Sequence, residues 1–112
     1  MQLDEAERLI RAAIALEPDD GFYVDSLGWV YYQRGDYPRA VEELERAVEL
    51  AGDDPTVAEH LGDAYGREGH ARDAVRVYRD ALARAKESAQ VERLKDKIRA
   101  LEGAARTEGA GL

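Results

Sequence analysis

At 112 residues, with 36% of them charged and a formal net charge of −8, the chain has room for one small domain or a short array of small units around a modest core. Its acidic excess is the wrong sign for general binding to nucleic-acid phosphates, and the absence of cysteine excludes disulfides and thiolate metal sites. Apolar runs such as AAIAL at residues 12–16 fall far short of the roughly 20 residues of a membrane-crossing helix, and the opening MQLDEAERLI is acidic where a secretory signal is basic. A soluble chain is therefore expected, cytoplasmic or periplasmic, with no membrane insertion.

In chain order, residues 1–20 place Ala6, Ile10 and Ala13 at helical spacing and close at Pro18. Residues 21–35 carry Val24, Leu27, Val30 and Tyr31 at the same spacing and stop at Gly35, a residue suited to the left-handed position just past a helix end. Asp36 suits the N-cap of a further helix bearing Ala40, Val41, Leu44, Ala47 and Val48. The two-residue joint between them predicts an antiparallel pair. Asp54-Pro55 reads as a cap followed by proline at the first helical position. The pair that follows runs through Leu61, Gly62 and Tyr65, then Ala74, Tyr78 and Ala81, with His70 as a weaker cap where the earlier pair has Asp36. Residues 88–103 predict a capping helix behind a Ser88 N-cap, with Val91, Leu94, Ile98 and Leu101 along one face. Residues 104–112, AARTEGAGL, have no core-forming pattern and predict a disordered tail.

The central part of this series is written twice. LGWVYYQRG at 27–35 returns as LGDAYGREG at 61–69. Over the full period Leu27 falls on Leu61, Gly28 on Gly62, Tyr31 on Tyr65, Gly35 on Gly69, Ala40 on Ala74, Leu44 on Tyr78 and Ala47 on Ala81. Ala6, Ile10 and Ala13 lie one period before Ala40, Leu44 and Ala47, so residues 1–20 read as a half repeat, the second helix of a unit whose first helix is missing. Complete units follow at 21–54 and 55–87. The predicted fold is all-α, a solenoid of antiparallel helix hairpins with about six helices. Mid-helix glycine costs roughly 1 kcal/mol against alanine, so Gly28 and Gly62 imply a close helix approach, with Ala40 and Ala74 expected as the facing small residues. The open first helix further predicts either that the chain is the end of a longer protein or that two copies pair over the exposed edge.

These residues resemble the tetratricopeptide repeat (TPR) family, whose pattern of 34 residues places Leu, Gly and Tyr in the first helix and Ala, a large apolar residue and Ala in the second. LGWVY…A…L…A and LGDAY…A…Y…A follow it, and the opening A…I…A…P is similar to the second half of a further copy. The chain departs from the pattern at Val24 and Ala58, where a bulkier residue is usual, and at Gly52, where the closing proline is displaced to Pro55. The Arg-rich, Ala-rich, Asn-free composition is similar to that of bacterial members. The resemblance implies a non-catalytic scaffold whose concave wall, lined by the first helix of each unit, receives a peptide or helix of a partner protein. The positions facing that wall by resemblance are Asp25, Trp29, Tyr32 and Gln33 in one unit and Glu59, Asp63, Gly66 and Arg67 in the next. Gly66 stands where the preceding unit has Tyr32 and is expected to leave a gap for a partner's side chain. The carboxylates of this wall predict a partner segment with basic and apolar or aromatic residues, bound less well as salt rises. Trp29 either offers its ring to such a partner or packs on the preceding second helix. The remaining alternatives are a self-assembly module forming a homodimer through the N-terminal edge, and an appendage of a larger catalytic protein.

Residues that could carry chemistry are few, so no enzyme activity, cofactor or metal is expected. His60 and His70 show no metal-ligand spacing. Glu42, Glu43, Glu45 and Glu49 interleave with Arg39 and Arg46 as a solvated helix face, and Ser26 and Ser88, the two serines, assemble no nucleophile constellation. Arg72, Arg76 and Arg79 share one helix face, but without stacking aromatics they predict a charged convex surface rather than a nucleic-acid or lipid site. Charge is uneven: residues 1–54 hold fourteen acidic and five basic side chains, residues 55–112 ten and eleven.

Overall fold

A computed structural model describes residues 2–109 and forms six helices: α1 (Gln2–Leu16), α2 (Gly21–Gln33), α3 (Tyr37–Ala51), α4 (Pro55–Arg67), α5 (Ala71–Arg84) and α6 (Ser88–Gly109). Among the described residues there is no strand. The architecture is the all-α array of antiparallel hairpins, α2 with α3 and α4 with α5, flanked by α1 and α6. Helix α2 also touches α4, whereas α3 makes no comparable approach to α5, so the stack curves with α2 and α4 on its inner side.

Local chemistry sets the helix ends. Gly35 and Gly69 adopt φ of +82° and +81°, a conformation that costs glycine no steric penalty. There the N–H groups of Gly35 and Asp36 donate to the carbonyls of Tyr32 and Tyr31, and those of Gly69 and His70 to the carbonyls of Gly66 and Tyr65, closing α2 and α4 in paired Schellman turns. Asp20, Asp36 and Asp54 cap the following helices by accepting backbone N–H bonds, for example from Phe22 at 2.9 Å and Thr56 at 2.8 Å. Helix α6 begins one residue earlier than the sequence implies. Glu87 takes the cap position and its carbonyl accepts the Val91 N–H, which leaves Ser88 as the first helical residue.

The C-terminal segment differs from expectation. Residues 104–109 are helical rather than a disordered tail; residues 110–112 lie outside the described residues. Two physical reasons hold them in α6. Ala105 continues the buried stripe of Leu94, Ile98 and Leu101 by one more turn and packs on the same core. In addition, His70 makes no side-chain cap bond to α5, and the Glu108 carboxylate instead accepts the Ala71 N–H at 2.9 Å. Gly103, where the sequence places the end of the capping helix, sits in the helix interior, since the positive-φ glycines are Gly35 and Gly69. Glu108→Ala is expected to cost about 0.5–1 kcal/mol, with amide-exchange protection lost first in the opening turn of α5. Adding His70→Asp should restore it.

The main core runs through the array, from Leu27, Tyr31 and Leu44 through Leu61, Tyr65 and Tyr78 to Leu94 and Ile98, and a smaller cluster of Val24, Ala47 and Val57 joins it through Ile14 and Val48. The repeated glycines admit the large second-helix residue rather than a facing alanine. A Cβ on Gly28 would lie 2.6 Å from Leu44 Cγ, and one on Gly62 would lie 2.4 Å from Tyr78 Cε1. Ala40 contributes its carbonyl, 3.4 Å from the Gly28 position, and Ala74 is not among the nearest neighbours of Gly62. Helix α1 has no buried residue; Ile10 and Ile14 pack on the core, and Arg34 pairs with Asp4 and Glu7. Its far side leaves Leu9 56% exposed.

Candidate functional site

Asp25, Trp29, Tyr32 and Gln33 fall along one face of α2, and Glu59, Asp63, Gly66 and Arg67 repeat that spacing on α4. The structure gives the two sets different surroundings. On α2 the Trp29 ring stacks on Tyr32 with centroids 4.4 Å apart and on His60 of α4 at 4.3 Å. It therefore packs forward onto the next unit. Tyr32 meets Tyr37 edge-on at 5.4 Å, and the Arg67 guanidinium lies 5.0 Å from the centre of the Tyr37 ring, within cation–π range. Trp29 and Tyr32 are half-buried, Gln33 and Arg67 exposed. Burial is the main reason the Tyr32 hydroxyl titrates above its usual range.

The carboxylates do not form an open acidic wall. His60 Nδ1 donates to Asp25 Oδ1 at 2.8 Å. Glu59 is 3% exposed and accepts from Arg93 Nε at 2.7 Å and Nη2 at 2.9 Å, Lys97 Nζ at 2.7 Å and Gln90 Nε2 at 3.1 Å. Asp63 accepts from Lys97 Nζ at 2.9 Å and the Tyr78 hydroxyl at 2.6 Å. Burial pushes the Glu59 carboxyl up, but the bonds from Arg93, Lys97 and Gln90 outweigh it and hold it at about 2. Lys97 is likewise opposed by burial yet raised by Glu59 and Asp63. Burial, reinforced by the bond to Asp63, drives the Tyr78 hydroxyl upward. Glu59 and Asp63 thus face two cations at bonding distance, and their charge is balanced inside the molecule, while Asp25 is held by the His60 ring.

Beside Gly66 the structure brings Leu101 of α6: its Cδ1 lies 3.7 Å from where a Cβ would stand, at ordinary van der Waals distance. Sequence reasoning missed His60, Tyr37, Arg93, Lys97 and Leu101. The ion pairs did leave a signal, since each base lies about one period after its acid: His60 35 residues past Asp25, Arg93 34 past Glu59, and Lys97 34 past Asp63. What stays accessible is an aromatic face of Trp29, Tyr32 and Tyr37 flanked by Gln33 and Arg67. Among the described residues no group of three or more His, Cys, Asp and Glu side chains is arranged to hold a metal ion, and no helix is long and apolar enough to cross a membrane.

Known proteins resemble the chain in sequence and in shape. The family model described as TPR repeat matches residues 28–69. A TPR repeat-containing protein of Pseudomonas aeruginosa is 35% identical over 83 residues, which is 73% of this chain and 14% of that protein; the chain thus spans about a seventh of the relative's length. PcrH, solved in complex with the chaperone binding region of PopD, superposes with a TM-score of 0.83 at 20% identity, covering 91% of this chain and 80% of PcrH. The type III secretion translocator chaperone SycD of Yersinia enterocolitica gives a TM-score of 0.84 at 16% identity, covering 90% and 72%.

Proposed function

The chain belongs to the tetratricopeptide-repeat family, and on that premise we propose that it is a non-catalytic scaffold that binds a peptide or helix of a partner protein along the inner wall of its array. The observation that carries this reading is the stacked, half-exposed Trp29–Tyr32 pair, large rigid rings of the kind that anchor protein interfaces. PcrH, with its bound region of PopD, supports it from a shared fold. The partner brings an apolar or aromatic anchor for the ring face, with Gln33 and Arg67 at the edge to orient its backbone. Basic residues in the partner are not required. Glu59 and Asp63 already hold Arg93 and Lys97, so binding varies little with salt.

Trp29 is the single tryptophan, so its emission reports directly on this face. A partner recovered by pull-down is expected to shift that emission on titration. A Trp29→Ala, Tyr32→Ala variant should keep its helical melt and lose binding by about tenfold or more. A folded double variant that binds undiminished would rule the face out. Leu9 and Ala6 on the uncovered side of α1 favour a second reading, in which two copies pair through the N-terminal edge. Sedimentation at several concentrations tests it, with Leu9→Glu expected to leave only monomer.

A further inference from the structure

The extension of α6 to Gly109 creates a cleft of about 400 Å³ between α5 and the last turns of α6. Four arginines line it, Arg72, Arg76 and Arg79 from α5 and Arg106 from α6, against two carboxylates, Asp80 and Glu102. Val75 and Ala105 add an apolar strip. In a chain of net charge −8 this is a local reversal of sign. The arginines are also available. Arg79 reaches Glu102 at 3.1 Å and Arg76 reaches Asp73 at 3.4 Å, but all four side chains of these pairs are more than a third exposed, where ion pairs exchange with solvent at little cost. Arg72 and Arg106 have no carboxylate within 4.0 Å among the described residues. Glu108, the nearby acid that would compete, is engaged by the Ala71 N–H.

We propose that this cleft is a second docking surface, which takes an acidic segment of a partner protein carrying carboxylates about one helical turn apart and an apolar side chain between them. Arg72, Arg76 and Arg79 are spaced at successive turns of α5, spanning roughly 10 Å, and the guanidinium fork matches a carboxylate in two-point contact. The apolar strip favours such a segment over a nucleic-acid strand, whose phosphates arginines could hold but whose bases would find no aromatic ring here to stack on. The cleft shares no residue with the Trp29 face, so the two surfaces stand or fall separately.

The test is fluorescence anisotropy of the 112-residue chain with a short labelled peptide bearing glutamates one turn apart and a leucine between them. Single-stranded RNA, vesicles containing phosphatidylserine, and a peptide with the leucine changed to serine are titrated in parallel. Saturable binding of the first peptide is expected, weakening with salt. It should fall by about tenfold or more in an Arg72→Glu, Arg106→Glu variant whose thermal melt is unchanged, and remain in the Trp29→Ala, Tyr32→Ala variant. The proposal is overturned by an undiminished response in the arginine variant, by equal binding of the serine peptide, or by tighter binding of RNA or vesicles. It is likewise overturned if sedimentation shows the cleft closed by a second copy of the chain.

Discussion

Gly62→Ala is expected to destabilise the chain by about 2 kcal/mol, although alanine is favoured over glycine in a helix interior by roughly 1 kcal/mol. The added Cβ would stand 2.4 Å from Cε1 and 2.6 Å from Cδ1 of Tyr78, well inside van der Waals contact. Tyr78 has little freedom to give way. It is 4% exposed, and its hydroxyl holds Asp63, which in turn holds Lys97. Gly103→Ala is the matched control. That position is helical with nothing within 4 Å of a Cβ, so the same change should gain up to about 1 kcal/mol there. Circular-dichroism melts should therefore move in opposite directions, down by about 10 °C for Gly62→Ala and up by a few degrees for Gly103→Ala. Combining Gly62→Ala with Tyr78→Ala should cost less than the sum of the two, because both remove one contact. A rise in melting temperature for Gly62→Ala would contradict the close approach on which the repeat depends.

The same glycines mark how far the sequence could be read. A period of 34 residues is strong information because it fixes helix ends, hairpin pairing and core positions together, and each has a local cause: a left-handed glycine, an aspartate cap, an apolar stripe. It identified that something approaches Gly28 closely but not what, since Leu44 and Ala40 lie one turn apart on the same helix face and only the crossing geometry selects between them. The inner wall was less legible. Asp25, Glu59 and Asp63 look like free carboxylates when each unit is taken alone, and their partners lie one period downstream, on α4 for Asp25 and on α6 for Glu59 and Asp63. Residues 88–103 follow the last complete unit and read as a generic cap, and nothing local in SAQVERLKDKIRALE says that Arg93 and Lys97 pair with Glu59 and Asp63 of α4 or that Leu101 lies beside Gly66. The boundary placed at Gly103 erred in the opposite sense. A glycine ends a helix only where the chain must turn left-handed, and here the helix continues far enough for Glu108 to accept the Ala71 N–H.

That neutralised wall predicts a measurable pH dependence. Glu59→Gln is expected to cost about 2 kcal/mol at neutral pH; breaking a fully buried pair costs more, but Arg93 is about half exposed and recovers hydration when released. The folded Glu59 carboxyl titrates near 2 against an ordinary value of 4.5, so between those values the unfolded chain binds the extra proton. Its contribution is complete above pH 4.5 and fades as pH falls toward 2. The parent should therefore lose stability through that window more steeply than Glu59→Gln, and the two curves should converge at its acid end. On the basic side the raised Lys97 has the opposite sign: its contribution is intact below its ordinary value of 10.5 and is lost as pH rises beyond it. Since Gln90, Arg93 and Lys97 all belong to α6, protonation of Glu59 loosens that helix first, and with it Leu101 from Gly66. Amide exchange in acid should accordingly rise in residues 88–101 before it rises in α2 and α3. Parallel acid limbs for parent and variant would show that the bonds around Glu59 carry none of the docking energy of α6.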